Sequence, residues 1–407
     1  MTTLTPPPVV APSVGQTLLT FLENVGQRSE ADMYLRRFRG LPRGRFALVA
    51  PTSVVLRDSV GTLAEQLAFL RELGLFASLV IGGVEEVSDE ERAWLIEALD
   101  NAELRPEILD GSSPTCLIEA KALYEAEKLP VFAFQHPDPG QFAELCAAMR
   151  PRKVVLLRSA GGLGPHGTSG LEVSPGHFLL GHDSGLAVIN LRSDQRVLVE
   201  GGHLSRDDVR FLERSRQILE ALADGGSTNT TVSIASPLSL VKELFTVRGE
   251  GTLVKLGAAL SAYSSYQDVD VEKVEGLLIE SFGRPVREGF FDRAPLRIYL
   301  EQDYRGMALL EPGLGAAAYL SKFAVQPVAR GEGLGQDLWW ALARENPRVY
   351  WRSRTDNPIN GWYGSVCDGM QRLRGWNVYW RGAEAKDIPL WIEDALGRPE
   401  DLAPRGE

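Results

Sequence analysis

The sequence predicts an α/β protein with two domains, a larger one built on a mostly parallel sheet and a smaller one that follows it. Between Phe46 and Gly251, short apolar runs alternate with stretches of helical periodicity, which is typical of a parallel sheet covered by helices on both faces. The chain has 407 residues, more than one hydrophobic core usually supports. A shift to small residues between Thr252 and Tyr266 indicates an inter-domain linker.

The composition argues against several classes of function. A hydrophobic share of 44% fits a soluble globular protein, and a net charge of −11 argues against a surface that binds nucleic acid or anionic membranes. The three cysteines and five histidines lack metal-ligand spacing, so we expect no metal site. An odd number of unpaired cysteines fits a reducing cytoplasm. No apolar run approaches a membrane span and the N-terminus does not read as a signal peptide, so we expect a cytoplasmic protein.

The first domain is predicted to follow a disordered lead. Residues 1–13 are rich in proline and form that lead, and residues 14–255 form the domain. Thr17 to Arg39 has helical periodicity with a break near Gly26. Further on, the predicted strands are Phe46–Val49, Ser78–Ile81, Val131–Phe134, Val154–Leu157 and Leu186–Leu191, and the predicted helices include Gly61–Leu73 and Asp89–Leu99.

The second domain, residues 256–407, begins with a helix and then continues in strands. Asp270–Phe282 places its apolar residues on one helical face and stops at a glycine. Leu296–Leu300 and Gly306–Leu310 are predicted to be paired strands. Tyr319–Val325 is rich in aromatic and branched residues and stops near a proline, which predicts a further strand that ends abruptly.

A glycine-rich turn follows that strand and opens a helix. The turn reads Arg330-Gly331-Glu332-Gly333-Leu334-Gly335. Because glycine has no Cβ, the backbone N–H groups here can approach a ligand closely. Together with the positive end of the helix dipole, they predict an anion site suited to a pyrophosphate. A tight turn without any ligand is the alternative interpretation of this hexamer.

The next predicted strand carries two arginines on one face. In Val349–Arg354, the alternation of a strand places Tyr350, Arg352 and Arg354 on one side and Val349, Trp351 and Ser353 on the other. Two neighbouring guanidinium groups repel each other unless they face anions. The alternative interpretation is a sheet edge protected by charge.

These motifs together resemble a known family. The Arg-x-x-Gly-x-Gly pattern is the acetyl-CoA signature of the GCN5-related N-acetyltransferases. The wider set closely resembles the acetyltransferase domain of vertebrate-type N-acetylglutamate synthases, which bacterial bifunctional N-acetylglutamate synthase/kinases share. The matching residues are Tyr319, Leu320, Lys322, Phe323, Arg330, Gly333, Gly335, Trp351, Arg352, Ser353, Arg354, Asn357, Pro358, Asn360, Trp362, Tyr363 and the run from Trp376 to Trp380.

The resemblance implies an acetyl-CoA:L-glutamate N-acetyltransferase that makes N-acetyl-L-glutamate, the first step of arginine biosynthesis. Acetyl-CoA would be a co-substrate, and no resident cofactor is implied. The implied acetyl-CoA contacts are Phe323, Ala324, Val325, Arg330, Gly331, Gly333, Leu334 and Gly335. The implied glutamate contacts are Lys322, Arg352, Arg354 and Asn357. Tyr363 is the candidate acid for the leaving thiolate, with packing as the alternative, and the sequence identifies no base.

The first domain resembles the amino acid kinase fold of acetylglutamate kinase, but it departs from that family where phosphate is bound. Ala50 stands where a lysine belongs, and Thr52 and Ser53 stand where a glycine pair belongs. Losing such a cation should slow phosphoryl transfer on the order of a thousandfold. Arg206, the nearest replacement for a second lysine, is followed by two acidic residues. We therefore expect a kinase-inactive domain with a structural or regulatory role.

The same resemblance implies a homo-oligomer, dimer or tetramer, with L-arginine as an effector. In the family, the N-terminal helical segment assembles subunits beside the arginine site, although an ordinary docking helix would read the same way. Two other functions stay open. One is an acetylglutamate kinase or bifunctional synthase/kinase, and the other is a non-catalytic arginine-sensing scaffold. The intact set of cations argues against a scaffold, whereas a different amino-acid acceptor is harder to exclude.

Overall fold

The computed structural model describes residues 38–164, 179–180, 185–226, 230–245, 250–330 and 333–404. They divide into two compact units, one ending at Leu256 and the other beginning at Gly257. The predicted disordered lead lies outside the described residues, as does the predicted N-terminal helix apart from Phe38 and Arg39.

The first unit contains a mixed sheet flanked by helices. Its elements in chain order are β1 (Ala47–Pro51), α1 (Ser53–Asp58), α2 (Val60–Glu72), β2 (Ala77–Ile81), α3 (Asp89–Asn101), β3 (Pro106–Asp110), α4 (Cys116–Glu125), β4 (Leu129–Ala133), α5 (Pro139–Met149), β5 (Lys153–Leu157), β6 (Leu179–Leu180), β7 (Leu186–Asn190), α6 (Leu191–Glu200), α7 (Arg206–Asp224), β8 (Thr231–Ala235), α8 (Leu240–Phe245) and β9 (Thr252–Lys255). Within the described residues, nine strands pair in the order β3-β4-β2-β1-β5-β8-β9-β7-β6.

The central strands are parallel and buried on both faces. From β3 to β8 every neighbouring pair is parallel, while β9 is antiparallel to β8. Along β1, Ala47 and Val49 enter one hydrophobic core, whereas Leu48 and Ala50 enter the other. Burial on both sides explains why these strands are continuous apolar runs in the sequence. The five strands and two helices predicted for this region are confirmed, with ends that differ by only a few residues.

The second unit contains a mostly antiparallel sheet. Its elements are β10 (Leu260–Tyr263), α9 (Val271–Phe282), β11 (Arg297–Glu301), β12 (Gly306–Pro312), β13 (Ala318–Val325), α10 (Leu334–Glu345), β14 (Val349–Arg354), α11 (Asn360–Val366), β15 (Gly369–Arg372), β16 (Trp376–Arg381) and α12 (Ile388–Gly397). Over the part of the chain that the structure describes, seven strands pair in the order β10-β11-β12-β13-β14-β16-β15. Every pair is antiparallel except β13 with β14.

The sheet of the second unit has different helices on its two faces. Helix α10 and the aromatic rings of Trp339, Trp351, Tyr363 and Tyr379 form the core on one face. Helix α9 and helix α12 contribute to two other clusters, which contain Ala324 and Tyr350 respectively. The alternation predicted for β14 is therefore confirmed, because Val349 and Trp351 pack in the first core and Tyr350 packs in another.

The predicted inter-domain linker is wrong in its extent. Thr252 to Tyr266 contains two strands, β9 in the first sheet and β10 in the second, so only residues 256–259 lie between them. Small residues reduce the apolar signal of β10, which is also partly exposed because it lies at the edge of its sheet.

The described residues contain neither a membrane-spanning helix nor a cluster of side chains arranged to bind a metal ion. Among the residues that the structure describes, no helix is both long enough and apolar enough to cross a membrane. Over the same residues, no cluster of three or more histidine, cysteine, aspartate or glutamate side chains has the arrangement of a metal site.

Candidate active site

The second sheet opens between its two parallel strands. β13 and β14 pair only at Ala318 with Val349 and at Tyr319 with Tyr350, although β13 continues to Val325 and β14 to Arg354. The pairing of β12 with β13 shifts its register between Leu309 and Leu310, where the two strands form an irregularity that bends β13. Backbone N–H and C=O groups along a strand need hydrogen-bond partners. The gap therefore offers the edge of β13 to an extended ligand.

Buried polar side-chain atoms on β14 and on its other neighbour, β16, also lack hydrogen-bond partners. Beyond the last pair with β13, the indole nitrogen of Trp351 and the hydroxyl of Ser353 are buried without a hydrogen bond, and the amide oxygen of Asn377 opposite Ser353 is unpaired as well. Buried polar groups in folded proteins are nearly always satisfied. A polar ligand or ordered water beside these atoms would supply those hydrogen bonds.

The glycine-rich turn lies at the open end of β13. After Val325, a short 3₁₀ turn spans Pro327–Ala329, and α10 begins at Leu334. Gly333 is the N-cap residue with a φ of +88°, a left-handed conformation that strains any residue with a side chain. The first N–H groups of a helix have no acceptor within the helix. The predicted turn is thus a helix N-terminus at the mouth of the gap.

The individual residues of the turn differ in what they can offer an anion. Gly331 lies outside the described residues. A Cβ on Gly335 would lie 3.6 Å from the Phe323 ring, so this glycine brings the first turn of α10 onto the end of β13. The Leu334 side chain is buried, which leaves its backbone N–H as the group available to a ligand. Arg330 is exposed and donates to the carbonyls of Val325 (3.3 Å) and Ser281 (3.2 Å).

Lys322 is the most deeply buried of the predicted glutamate ligands. Its side chain is 8% exposed and forms an ion pair with Asp401. Burial lowers the pKa of Lys322, and the negative charge of Asp401 acts in the opposite direction. The ammonium also lies 4.9 Å from the centre of the Phe290 ring. Arg293 binds the same carboxylate of Asp401, so the acid is shared by two cations.

Arg352 donates to the end of α12 and to the residues that follow that helix. One terminal nitrogen, Nη1, donates to the carbonyls of Ala395 (2.7 Å) and Leu396 (3.1 Å), and the other, Nη2, donates to those of Arg398 (2.7 Å) and Pro399 (2.8 Å). A cation at a helix C-terminus is favourable because it meets unpaired carbonyls and the negative end of the dipole. The sequence predicted a substrate ligand here, whereas the structure shows an arginine whose four contacts are to its own chain.

Arg354 lies beside Arg352 on the same face of β14. The Trp376 ring contacts both guanidinium groups, at 4.2 Å from Arg352 and 4.0 Å from Arg354. Arg354 is 43% exposed and forms an ion pair with Glu400. The structure brings Lys322, Arg352 and Arg354 close together, because one short segment after α12 contacts all three.

Asn357 forms the turn that starts α11. Its side-chain oxygen accepts a hydrogen bond from the Ile359 N–H (3.3 Å), and its own N–H donates to the Arg354 carbonyl (3.1 Å). The side-chain amide group retains its N–H donors for a substrate carboxylate. This turn keeps Asn357 close to the end of β14.

Tyr363 lies on the other face of the sheet from the three cations. It is buried among Phe323, Trp351 and Tyr379 in the core beneath α10. Burial raises the pKa of its phenol, and the neighbouring Tyr379 and Tyr319 raise it further. The phenol is therefore protonated at neutral pH. Tyr319, at the last pair before the gap, packs with Tyr350 on the face that carries the cations.

Several residues at this site were not predicted from the sequence. Glu311 pairs with Arg398 (3.0 Å) and with Arg293 (3.7 Å), and Arg293 binds Asp401. These residues are far apart in the chain and belong to no motif. Only the fold brings them together next to Lys322.

In the first unit, carboxylates occupy the edge of the sheet where an α/β fold usually binds ligands. Glu85, which follows β2, accepts the backbone N–H of Ser53 (2.5 Å) at the start of α1. Glu91 accepts a hydrogen bond from the Ser53 hydroxyl and pairs with Arg57 (2.6 Å). Although burial opposes it, hydrogen bonds from Ser53 and Ser88 hold the pKa of Glu91 below its usual value. Glu91 is therefore ionised at neutral pH.

The cations near this edge of the first sheet either pair with acidic side chains or lie away from the end of β1. Arg158, directly after β5, pairs with Asp208 (2.6 Å) and Asp207 (3.2 Å). Arg206 is exposed at the first position of α7. Lys153 starts β5 at the opposite edge of the sheet, where burial lowers its pKa to about 8. Among the described residues, none of these three supplies a free cation at the end of β1.

Comparison with known proteins gives one family match and several related chains. Residues 261–395 match the family model for NAT, N-acetyltransferase, of N-acetylglutamate synthase. The acetylglutamate kinase of Xanthomonas campestris is 30% identical over 419 residues, which cover 87% of this chain and 94% of that protein. The mitochondrial N-acetylglutamate synthase of Homo sapiens is 31% identical over 268 residues, which cover 64% of this chain and 46% of that protein.

A solved structure has the same fold over most of the chain. N-acetylglutamate synthase from Neisseria gonorrhoeae, complexed with coenzyme A and N-acetyl-glutamate, aligns with a TM-score of 0.54 and 16% identity. The alignment covers 87% of this chain and 97% of that one.

Fold and site together define a two-domain acyltransferase, with an amino acid kinase-like domain followed by an N-acetyltransferase domain. The chain belongs to the family of N-acetylglutamate synthases and acetylglutamate kinases that have this domain arrangement.

Proposed function

We propose that the protein is an acetyl-CoA:L-glutamate N-acetyltransferase that makes N-acetyl-L-glutamate for the first step of arginine biosynthesis. The observation that carries this proposal is the opening of the sheet between β13 and β14, with a helix N-terminus at its mouth and three cations grouped on one face. An extended thioester with an anionic end and a dicarboxylic acceptor match those two features in shape and charge.

Acetyl-CoA would place its pyrophosphate on the N–H groups at the start of α10 and its pantetheine arm along the Phe323–Val325 edge of β13. Fixed amides of this kind need no rearrangement when the anion arrives. Arg330 adds a positive charge at the exposed side of the turn. The thioester would then lie within the gap, between the phenol of Tyr363 and the cations.

Glutamate would bind through Lys322, Arg354 and Asn357, with Arg352 contributing one terminal nitrogen. The neutral amine attacks the thioester carbonyl, the C–N bond forms, and the C–S bond breaks to release the CoA thiolate. Tyr363 donates the proton that the thiolate takes up, and the phenol regains a proton from the water that has accepted one from the amine. Water in the gap removes the proton that the amine must lose, since the described residues include no carboxylate or imidazole that we assign as the base.

The kinase-like unit is a structural and regulatory domain in this proposal. The long relatives named acetylglutamate kinase favour a second candidate function, a bifunctional synthase/kinase. The residues at the end of β1 argue against it, because Ala50 stands where the family places a cation and the nearby Arg158 is already paired with Asp207 and Asp208.

We expect the protein not to phosphorylate N-acetyl-L-glutamate with ATP. The physical reason is the missing lysine at Ala50 together with the pairing of Arg158 with Asp207 and Asp208. The measurement is ADP release with and without N-acetyl-L-glutamate. Acetyl transfer by the same preparation is the positive control, because it shows that the protein is folded and active. Robust ADP release that depends on N-acetyl-L-glutamate would show instead that the protein is a bifunctional synthase/kinase.

Regulation, assembly and location complete the proposal. L-Arginine is the proposed effector, the proposed assembly is a homo-oligomer (dimer or tetramer), and the proposed location is the cytoplasm, which agrees with free Cys116, Cys146 and Cys367. A non-catalytic arginine-sensing scaffold is the third candidate. It predicts arginine binding without turnover of acetyl-CoA.

An acetyl-transfer assay across a panel of amino acids tests the function directly. We expect glutamate to be preferred, and Arg354→Ala to lower kcat/KM for glutamate by roughly ten- to a hundredfold, as follows from about 1.5–3 kcal/mol for one charge-assisted contact. Arg344→Ala is the matched control, because Arg344 is exposed on α10. Preference for a monocarboxylic or basic amino acid, or equal loss in both variants, would refute the assignment.

A further inference from the structure

A segment of four residues directly after α12 contacts every predicted glutamate-binding cation. We call residues 398–401 the C-terminal strap. The carbonyls of Arg398 and Pro399 accept from Nη2 of Arg352 at 2.7 and 2.8 Å. The strap then presents two acidic side chains to the remaining cations.

Those two acidic side chains supply one carboxylate each. Glu400 forms an ion pair with Arg354, and Asp401 forms an ion pair with the buried ammonium of Lys322. Glutamate carries two carboxylates, and Arg354 and Lys322 are the cations that the proposed function assigns to them. The strap therefore offers the site the same pair of charged groups as the substrate.

The strap is held at both ends by contacts that do not involve the cations. At its start, the guanidinium group of Arg398 pairs with Asp394 (2.8 Å) and with Glu311 (3.0 Å). After it, the Ala403 N–H donates to the Pro285 carbonyl (2.9 Å). The strap is thus a tethered occupant that can leave the cations without detaching from the fold.

We propose that the C-terminal strap is an intramolecular mimic of the dicarboxylate substrate, and that glutamate binds by displacing the carboxylates of Glu400 and Asp401 from Arg354 and Lys322. This inference rests on the proposed function. Displacement frees Arg354, Lys322 and Nη2 of Arg352, while Nη1 of Arg352 continues to cap α12. The strap makes the apparent affinity for glutamate lower than the intrinsic affinity, because only the fraction of molecules with a released strap can bind.

The test is Glu400→Gln in the full chain, with the KM for glutamate and the KM for acetyl-CoA measured separately. Glu400 is 47% exposed, so the amide is tolerated by the fold. We expect the KM for glutamate to fall roughly three- to tenfold because a competing anion is weakened, with the KM for acetyl-CoA and kcat unchanged. Glu393→Gln on the exposed side of α12 removes the same charge and is expected to change neither constant.

Asp401→Asn is the second variant, and it should lower the KM for glutamate further. Since it leaves Lys322 buried with a weaker partner, its folding is checked by thermal unfolding before the kinetics are interpreted. If it does not fold, the Glu400→Gln result alone decides. An unchanged or increased KM for glutamate in Glu400→Gln would overturn the proposal, and it would assign the strap to holding the cations in place.

Hydrogen exchange gives an independent measure of strap movement. The Arg287 N–H donates to the Asp401 carbonyl at 2.8 Å, so its exchange should accelerate when glutamate is saturating. Slower exchange with glutamate would mean that the strap closes over the substrate, which contradicts the proposal.

If the unaltered protein transfers no acetyl group to glutamate at all, the proposed function fails. If it does so and the strap variants behave as the control does, only this inference fails.

Discussion

Gly333→Val is expected to raise the KM for acetyl-CoA by about a hundredfold or more, the first of two large effects that the site predicts. Gly333 adopts a φ of +88° as the N-cap of α10, and a β-branched residue there forces the turn to move. Moving the turn misplaces the helix N–H groups that would bind the pyrophosphate. Losing two such contacts costs about 3 kcal/mol, which corresponds to a factor of about 100 in affinity.

The control for this variant is a glycine with a similar backbone strain elsewhere in the same unit. Gly315 has a φ of +61° in the turn between β12 and β13, and a Cβ there would meet nothing within 4 Å. Gly315→Val should therefore show a comparable loss of thermal stability with an unchanged KM for acetyl-CoA. If the two variants had equal KM values for acetyl-CoA, the pyrophosphate would not bind at the start of α10.

Lys322→Met is expected to lower kcat/KM for glutamate by more than a hundredfold, a larger loss than that predicted for Arg354→Ala. Lys322 is 8% exposed, whereas Arg354 is 43% exposed. A substrate carboxylate that lacks its cation in a buried position loses roughly 3 kcal/mol or more, because water cannot replace the missing charge. Methionine nearly preserves the side-chain length, so packing against Phe290 is retained.

Steady-state kinetics of Lys322→Met beside Lys386→Met test this ranking. Lys386 is exposed and pairs with Glu384, and its replacement should leave the acetyl-transfer rate unchanged. If Lys322→Met lost less activity than Arg354→Ala, Lys322 would not bind glutamate and would serve only in the ion-pair cluster with Asp401 and Arg293. The glutamate site would then lie nearer to Arg354 on β14.

Local sequence patterns identified most of the strands and the residues on each face of β14. The alternation of Tyr350, Arg352 and Arg354 with Val349 and Trp351 is a property of any strand, so it could be predicted without knowing the neighbours. The same reasoning could not show that Tyr363 lies on the opposite face, because Tyr363 belongs to α11 and not to the strand.

The strap and the carboxylates at the start of α1 could not be predicted from the sequence. Glu400 and Asp401 are an acidic pair near the end of the chain, a type of sequence that is usually solvated. Their contacts with Lys322 and Arg354 depend on the direction in which the chain leaves α12. Likewise, Glu85 reaches Ser53 only because β1 and β2 are neighbours in the sheet. Contacts between distant segments leave no local periodicity.

The limited pairing of β13 with β14 has a further consequence for the mechanics of the acetyltransferase unit. Strands β10 to β13 and strands β14 to β16 are joined along the ladder only at Ala318–Val349 and Tyr319–Tyr350. A thioester metabolite lying between them would take the place of a strand. It would connect the two halves of the sheet where backbone hydrogen bonds between β13 and β14 are absent. Catalytic turnover would then repeatedly stiffen and relax the middle of this unit.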